Sequence, residues 1–188
     1  GRTHWSLLDT RLGTGLDFLR VWQAWQADTA RPRLLHYVAI ANAAPIPEDL
    51  QQAARQHPDL LPLATLVAAQ AVGLTPGFHR LGFDQGQVLL TLCIGDIGAV
   101  LRDLAFRADT VCVQGDEAAP PSSLSGPGLV KAIARLCRRG TVLVSRHPGT
   151  VARDDLQACG FVLESATDAA PWPAGRLGCY APPWEVKG

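Results

Sequence analysis

Short apolar runs alternate with amphipathic runs along the whole chain. Apolar runs with strand character occur at 4–10, 33–40, 88–96, 109–116, 140–147, 161–167 and 175–182. Runs with helical spacing of apolar residues occur at 16–26, 47–56, 59–72, 97–106, 129–139 and 150–160. Turns or loops are predicted at 75–83, 84–87 and 117–128, which are rich in Gly, Pro and polar residues. This alternation predicts an α/β fold with helices on both faces of a mostly parallel sheet, closed by an antiparallel hairpin of the last two strands.

Two runs indicate where the core lies. The run at 33–40 is too continuously apolar for a surface edge, which is typical of a buried parallel strand. Trp22 and Trp25 fall at helical spacing in the first helix and are predicted to pack against the sheet. A role for them in stacking on a ligand is the less favoured alternative.

Length and charge narrow the class of protein. With 188 residues, 47 % of them hydrophobic, the chain is predicted to form a single domain over residues 1–188. The 17 basic and 17 acidic residues cancel, which argues against a protein coated with positive charge for binding nucleic acid. A local basic patch remains open at Lys131, Arg135, Arg138 and Arg139, although a solvated helix face is the favoured interpretation.

Cysteine usage indicates a reducing compartment. The five cysteines include no Cys-x-x-Cys pair and are interpreted as buried thiols rather than disulfides or a metal site: Cys93, Cys112, Cys137, Cys159 and Cys179. No signal peptide and no apolar run near 18 residues is present, so a cytoplasmic protein is expected, with no membrane partner. The absence of Met suggests a piece of a longer protein.

The turn after the first strand is the first candidate for ligand binding. Gly13 and Gly15 let the backbone turn sharply, and the helix that follows offers unpaired N–H groups. Asp9, at the end of the strand, can accept a hydrogen bond from an amine. A Gly-x-Gly between a strand and a helix favours a nucleotide-like ligand over an ordinary tight turn.

Three other strand ends face the same edge of the predicted sheet. Ala41 and Asn42 stand where a nucleoside site needs an acid for the ribose hydroxyls, and Asn42 can make one such bond. Asp96 can meet an adenine amine or, equally, cap the next helix. Gln114 and Asp116 stand over the predicted pocket, where a carboxylate can act on a substrate amine; a solvated loop is the alternative.

Taken together, these segments resemble the methyltransferase domain of the MnmC family of bacterial bifunctional tRNA-modification enzymes. The stretches that carry the resemblance are "DTRLGTGLDFL", "PGFHRL" and "LTLCIGD", together with the order and spacing of the elements from about His4 to Pro182. The resemblance implies a Rossmann-like fold, the cofactor S-adenosylmethionine (SAM) and methyl transfer to the aminomethyl nitrogen of a modified wobble uridine in tRNA. It also implies a flavin-dependent domain or another protein partner that this chain does not contain.

The resemblance assigns roles residue by residue. Cofactor binding falls to the loop and to two strand ends, and catalysis to the end of the fourth core strand: Asp9, Gly13, Thr14, Gly15, Asn42 and Asp96 for the cofactor, and Gln114 and Asp116 for catalysis. Three positions depart from the family pattern: the start of the loop, the end of the second strand and the end of the fourth strand. Arg11 replaces the first glycine of the loop, Ala41 and Asn42 replace an acid and a lysine, and Gln114 replaces an aspartate.

Three functions follow as hypotheses. The first is a SAM-dependent tRNA methyltransferase, and the second is a degenerate relative in which Arg11, Ala41 and Gln114 have eroded the cofactor site and the fold serves as a binding or scaffolding module. The third, a nucleotide-dependent oxidoreductase, is weaker, since Phe18 stands where such a loop needs a third glycine and no acid ends the second strand.

Overall fold

A computed structural model of the chain describes residues 3–114, 126–145, 151–163 and 175–184. These residues contain eight strands and six α-helices. In chain order they are β1 His4–Asp9, α1 Leu16–Ala27, β2 Leu34–Ala41, α2 Pro47–Ala54, α3 Leu61–Gln70, β3 Gly77–Phe83, β4 Val88–Ile94, α4 Ile97–Asp103, β5 Ala108–Cys112, α5 Gly126–Arg135, β6 Cys137–Ser145, α6 Arg153–Ala158, β7 Phe161–Leu163 and β8 Gly175–Tyr180. The mixed α/β class predicted from the sequence is confirmed.

The chain forms two compact units, with the division inside β1. Unit 1 comprises Gly1–Trp5 and Leu12–Gly95, and unit 2 comprises Ser6–Arg11 and Asp96–Gly188. The prediction of a single domain over residues 1–188 stays a prediction. Within the part of the chain that the structure describes, no helix is both long enough and apolar enough to cross a membrane.

Unit 1 is built around strand β4. This strand pairs in parallel with β2 and in antiparallel with β3, so that Leu90 lies opposite Tyr37 on one side and Leu81 on the other. The interior position of β4 explains its continuous apolar sequence, since both of its edges and both of its faces are covered. The order in this unit is β3-β4-β2.

Helix α1 contributes an aromatic cluster to unit 1. The Phe18 ring meets the Tyr37 ring edge to face at 5.1 Å, and Trp22 lies 4.7 Å from Phe83. Trp22 and Trp25 are both buried, which confirms their assignment to the core. Aromatic rings in these arrangements add to the stabilisation from burial alone.

Unit 2 carries the remaining strands in the order β1-β5-β6-β8-β7. Strand β5 pairs in parallel with β1 and β6, whereas β8 runs antiparallel between β6 and β7. The antiparallel hairpin predicted at the end of the chain is therefore confirmed. Its close approach requires Gly178, where a Cβ would lie 2.1 Å from the carbonyl oxygen of Val162.

Two sequence predictions about the elements are wrong. Residues 77–83 form strand β3, not a turn, because Leu81 and Phe83 alternate with exposed residues and pack inward. Helix α5 ends at Arg135 instead of continuing to residue 139, since the chain turns at Leu136 and enters β6 at Cys137. Most of the predicted loop at 117–128 lies outside the described residues.

Candidate functional site

The turn between β1 and α1 has the open backbone that its sequence predicts. In unit 1, Gly13 and Gly15 adopt φ of +56° and +86°, in the left-handed region that favours glycine. A Cβ added at Gly13 would meet no heavy atom within 4 Å, so this side of the turn faces open space. Thr14 is exposed beside it, whereas a Cβ on Gly15 would lie 3.2 Å from Cδ1 of Leu50.

Gly15 also forms the N-cap of α1. Its backbone N–H donates to the carbonyl of Leu12 at 2.9 Å, and the N-cap has no side-chain hydrogen bond. Without a capping side chain, the first turn of α1 can accept an anionic or polar ligand group on its N–H groups. The predicted loop geometry is therefore present; the assignment of Gly13, Thr14 and Gly15 to a cofactor stays a prediction.

In unit 2, the structure brings Asp9 and Gln114 together. The parallel register places Asp9 opposite Cys112, two residues before Gln114. Gln114 Nε2 donates to Asp9 Oδ1 at 3.2 Å, and the backbone N–H of Arg11 donates to the same oxygen at 3.0 Å. Asp9 is fully buried, so these donors compensate part of the cost of removing its carboxylate from water.

Thr10 also takes part in this arrangement, although the sequence analysis does not predict it as a site residue. Its hydroxyl oxygen accepts a hydrogen bond from the backbone N–H of Gln114 at 3.0 Å, and its own backbone N–H donates to the carbonyl oxygen of Cys112. Gln114 is thus held at both its backbone and its side chain. The sequence signal for this contact was the hydroxyl residue Thr10, which comes directly after Asp9 at the end of β1.

The neighbouring thiol is not a nucleophile in this arrangement. Burial, and then the negative charge of Asp9, raise the pKa of Cys112 to about 12, although a hydrogen bond from Gln114 acts in the opposite direction. Since the thiolate is the reactive form of cysteine, Cys112 stays inert at neutral pH. Four of the five cysteines are buried as predicted, and Cys179 is half-buried.

Asp96 caps helix α4. Its Oδ1 accepts from the backbone N–H of Ala99 at 3.0 Å, which confirms one of its two predicted roles. Asp96 is exposed at the end of β4, so this hydrogen bond leaves the carboxylate accessible to solvent. Its predicted contact with an adenine amine is untested.

The end of β2 offers an amide in place of a carboxylate. Ala41 accepts a backbone hydrogen bond from Gly95 at 2.8 Å, and Asn42 follows with an exposed side chain. No side chain at this strand end can supply the negative charge that ribose hydroxyls prefer. Asp116, the second predicted catalytic residue, lies outside the described residues.

The basic cluster predicted on one helix face is not on one helix. Lys131 and Arg135 belong to α5, but Arg138 and Arg139 lie in β6. Arg135 donates to the carbonyl of Leu104 at 2.9 Å, Arg139 donates to the carbonyl of Pro182 at 2.8 Å, and Arg138 forms an ion pair with buried Asp109: these are internal contacts. The solvated-helix-face interpretation is therefore wrong for Arg138 and Arg139, whereas Lys131 and Arg135 are exposed on α5.

Comparison with known proteins decides the family. Residues 59–171 match the model of a family described as S-adenosyl-L-methionine-dependent methyltransferase. The chain belongs to this methyltransferase family. The chain is 43 % identical over 187 residues to a protein of Polaromonas naphthalenivorans named tRNA 5-methylaminomethyl-2-thiouridine biosynthesis bifunctional protein MnmC. A Burkholderia thailandensis protein of the same name is 32 % identical over 185 residues.

The chain covers a minor part of these relatives. It aligns over its whole length with the Polaromonas protein but spans 29 % of that protein, and it spans 28 % of the Burkholderia one. Among solved structures, MnmC2 from Aquifex aeolicus superposes with a TM-score of 0.64, covering 98 % of this chain and 56 % of that one. At 17 % identity this likeness shows the fold alone, and it confirms the predicted Rossmann-like methyltransferase fold.

The residues of unit 1 fit SAM, the cofactor of the family, at the turn and less well at the end of β2. The open backbone at Gly13 and the uncapped first turn of α1 can accept the polar groups of SAM. At Asn42 a ribose hydroxyl would meet an amide, which makes a weaker hydrogen bond than an ionised carboxylate. In unit 1 the open turn at Gly13 can therefore accept polar groups of SAM, whereas the end of β2 offers the neutral amide of Asn42 as an acceptor.

Proposed function

We propose that this chain binds SAM and transfers its methyl group to the aminomethyl nitrogen of a modified wobble uridine in tRNA. The single observation that carries the proposal is 43 % identity across the whole chain with a protein named for 5-methylaminomethyl-2-thiouridine biosynthesis in tRNA. The arrangement of Asp9 and Gln114 supports it, because it fixes a polar side chain at the end of a strand where this fold binds its ligands.

The chain's contribution to the reaction is positioning. When bound, SAM would supply an electrophilic methyl group: the unprotonated amine forms a bond to the methyl carbon as the carbon–sulfur bond breaks, S-adenosylhomocysteine leaves, and the amine proton passes to solvent. The turn at Gly13, Thr14 and Gly15 would hold the cofactor, and Asn42 and Asp96 are assigned to its nucleoside part. Holding two reactants in line removes much of the entropic part of the barrier.

Gln114 is assigned the role of orienting the substrate amine. Asp9 accepts from Nε2 of Gln114, which turns the carbonyl oxygen of the same amide away from the carboxylate. An amide oxygen there accepts an N–H hydrogen bond without adding a second negative charge, so it favours the neutral amine that the reaction needs. Asp116 is assigned to the same amine from the following segment.

The partners and location follow from the same proposal. The relatives are named as bifunctional and are more than three times as long as this chain, so we assign their second activity, flavin-dependent by family resemblance, to a separate segment or partner. tRNA modification places the protein in the cytoplasm.

Calorimetric titration with SAM tests the proposal, with a methyl-transfer assay on undermodified tRNA as its second step. We expect micromolar binding and transfer to tRNA. Ala41→Glu supplies the missing acceptor at the end of β2 and should tighten SAM binding about tenfold, since one such hydrogen bond contributes on the order of 1–3 kcal/mol. Ala41→Gln is the matched control, because it adds the same bulk without charge.

One observation favours the second function, a degenerate module that binds without catalysis. The exchange of a carboxylate for Ala41 lowers the affinity for the nucleoside part of the cofactor. Absence of SAM binding at millimolar concentration, unchanged by Ala41→Glu, would establish that function and reject methyl transfer.

A further inference from the structure

A cavity of about 420 Å³ lies in unit 2, away from the proposed cofactor site. Arg107, just before β5, and Cys137, at the first position of β6, both line it. Gln114 follows the opposite end of β5. The cavity therefore lies at the opposite end of these strands from Gln114. None of the described residues that line it is assigned to the cofactor or to the reaction.

The charged residues that line the cavity are all positive. Among the residues that the structure describes, Arg107, Lys131 and Arg135 line it and no carboxylate does. The negative charge of Asp155 raises the pKa of Cys159 in the cavity wall, and the positive charge of Lys131 lowers it. Three cations around one concave space raise the local potential and attract an anionic group.

Two of these cations are held in place. Arg107 donates to the carbonyl of Arg135, and Arg135 donates to the carbonyls of Leu101 and Leu104. Backbone carbonyls fix the guanidinium groups without cancelling their charge. Lys131 is exposed on α5 and makes no ion pair with the described part of the chain, so its ammonium group can move onto a ligand.

An aromatic wall completes the cavity. Trp184 is 48 % exposed, which is unusual for so large an apolar side chain. Its ring packs on Gly160, where a Cβ would lie 3.1 Å from Trp184 Cζ2, and its carbonyl accepts from Arg139 at 3.2 Å. The indole is therefore anchored from one side and keeps an accessible surface.

We propose that this cavity binds one nucleotide of an RNA strand, with the base stacked on Trp184 and the phosphate held by Lys131 and Arg107. An accessible aromatic ring beside fixed cations is the combination by which proteins bind single-stranded nucleic acid without reading its sequence. The volume falls in the range of small-ligand pockets. The choice of RNA rests on the proposed function. The cavity extends contact with tRNA to a second edge of unit 2.

Binding of a fluorescein-labelled pentauridylate RNA to the full chain, followed by anisotropy at several salt concentrations, tests this proposal. Trp184→Ala should weaken binding about tenfold, whereas Trp184→Phe should retain most of it because a stacking surface remains. Lys131→Ala should weaken binding and reduce the steepness of the salt dependence by roughly one phosphate contact.

Matched controls lie in unit 1. Phe78→Ala removes an aromatic side chain that is 51 % exposed, and Arg55→Ala removes an exposed cation. Both should leave binding unchanged. The proposal would be overturned if the wild type, Trp184→Ala and Lys131→Ala bound the RNA with equal affinity. It would also be overturned if the two control variants lost RNA binding. Competition by inorganic phosphate without any effect of Trp184→Ala would also overturn it, since it would show an anion site only.

SAM calorimetry on the same variants separates this proposal from the proposed function. If the wild type binds no SAM but its RNA binding depends on Trp184 and Lys131, the RNA site is retained and methyl transfer is rejected. If SAM binding and methyl transfer to tRNA are intact but RNA binding does not depend on Trp184 or Lys131, the RNA site is rejected and the proposed function is retained.

Discussion

Gln114 donates a hydrogen bond from Nε2 to Oδ1 of Asp9, 105 residues earlier in the chain, across the parallel pair β1 and β5. The amide of Gln114 donates to the buried carboxylate of Asp9 without placing a second negative charge beside it. The hydrogen bond therefore holds the side chain of Gln114 in an ordered position.

Gln114→Leu should destabilise the fold and weaken methyl transfer. It removes one donor from the buried carboxylate of Asp9, which costs about 1–3 kcal/mol, and it removes the oxygen assigned to the substrate amine. Urea denaturation measures the first effect, and steady-state kinetics at saturating SAM measures the second. Gln157→Leu, at an exposed position of α6, is the matched control and should change neither. A variant with normal stability would contradict the hydrogen bond.

Two substitutions at Asp96 separate its capping role from its predicted cofactor role. Asp96→Ala should cost about 1 kcal/mol of stability through loss of the cap on α4, whereas Asp96→Ser keeps a capping oxygen and should cost a few tenths. Both remove the carboxylate, so both should weaken SAM binding. If calorimetry finds wild-type affinity in Asp96→Ser, Asp96 is a cap and nothing more.

Gly13→Ala tests whether the open turn receives the cofactor. The substitution places a side chain at φ +56°, which costs roughly 1–2 kcal/mol, and it projects a methyl group into the open space beside the turn. Gly73→Ala is the matched control, because Gly73 also has a positive φ and open surroundings in unit 1. Both variants should lose similar stability, as measured by thermal denaturation. Only Gly13→Ala should lose SAM affinity, and equal affinities would exclude the turn from binding.

The buried cysteines should make stability fall at high pH. Burial raises the pKa of Cys93, Cys112 and Cys137 from 9.0 to about 12. The folded thiols hold their protons more tightly than the unfolded ones, so this contribution to stability is complete below pH 9 and is lost as pH rises toward 12.

Alkylation measures the same protection directly. At pH 8, iodoacetamide should modify half-buried Cys179 first and should leave Cys93, Cys112 and Cys137 unmodified until urea unfolds the chain. Mass spectrometry of the peptides identifies the modified residues. Cys179→Ala should abolish the early reaction, and rapid labelling of Cys112 in the native protein would contradict its burial beside Asp9.

The sequence predicted the parallel core because buried strands carry continuous apolar runs between amphipathic helices. It missed β3, where Gly77 and Gly82 and a preceding proline have the composition of a turn, although Leu81 and Phe83 alternate inward. The composition of a segment describes local preference, whereas pairing along β4 supplies the stabilisation that overrides it.

The glycine turn could be predicted because its residues are contiguous and only glycine adopts that backbone readily. The pairing of Asp9 with Gln114 could not, since it depends on the register of two strands distant in sequence. The basic cluster was misjudged for a related reason. Charge alone does not reveal that Arg138 reaches a buried partner, Asp109.

The turn between β3 and β4 is held by side chains of helix α1. Asp84 and Gln85 both adopt positive φ, at 47° and 57°, which non-glycine residues rarely do. The indole of Trp22 donates to Asp84 Oδ2 at 2.7 Å, and Gln26 donates to the same oxygen at 2.8 Å. A hairpin that is local in sequence thus depends on a helix about 60 residues earlier for its turn. Loss of the Trp22 or Gln26 donor should therefore weaken this turn, although neither residue belongs to the hairpin.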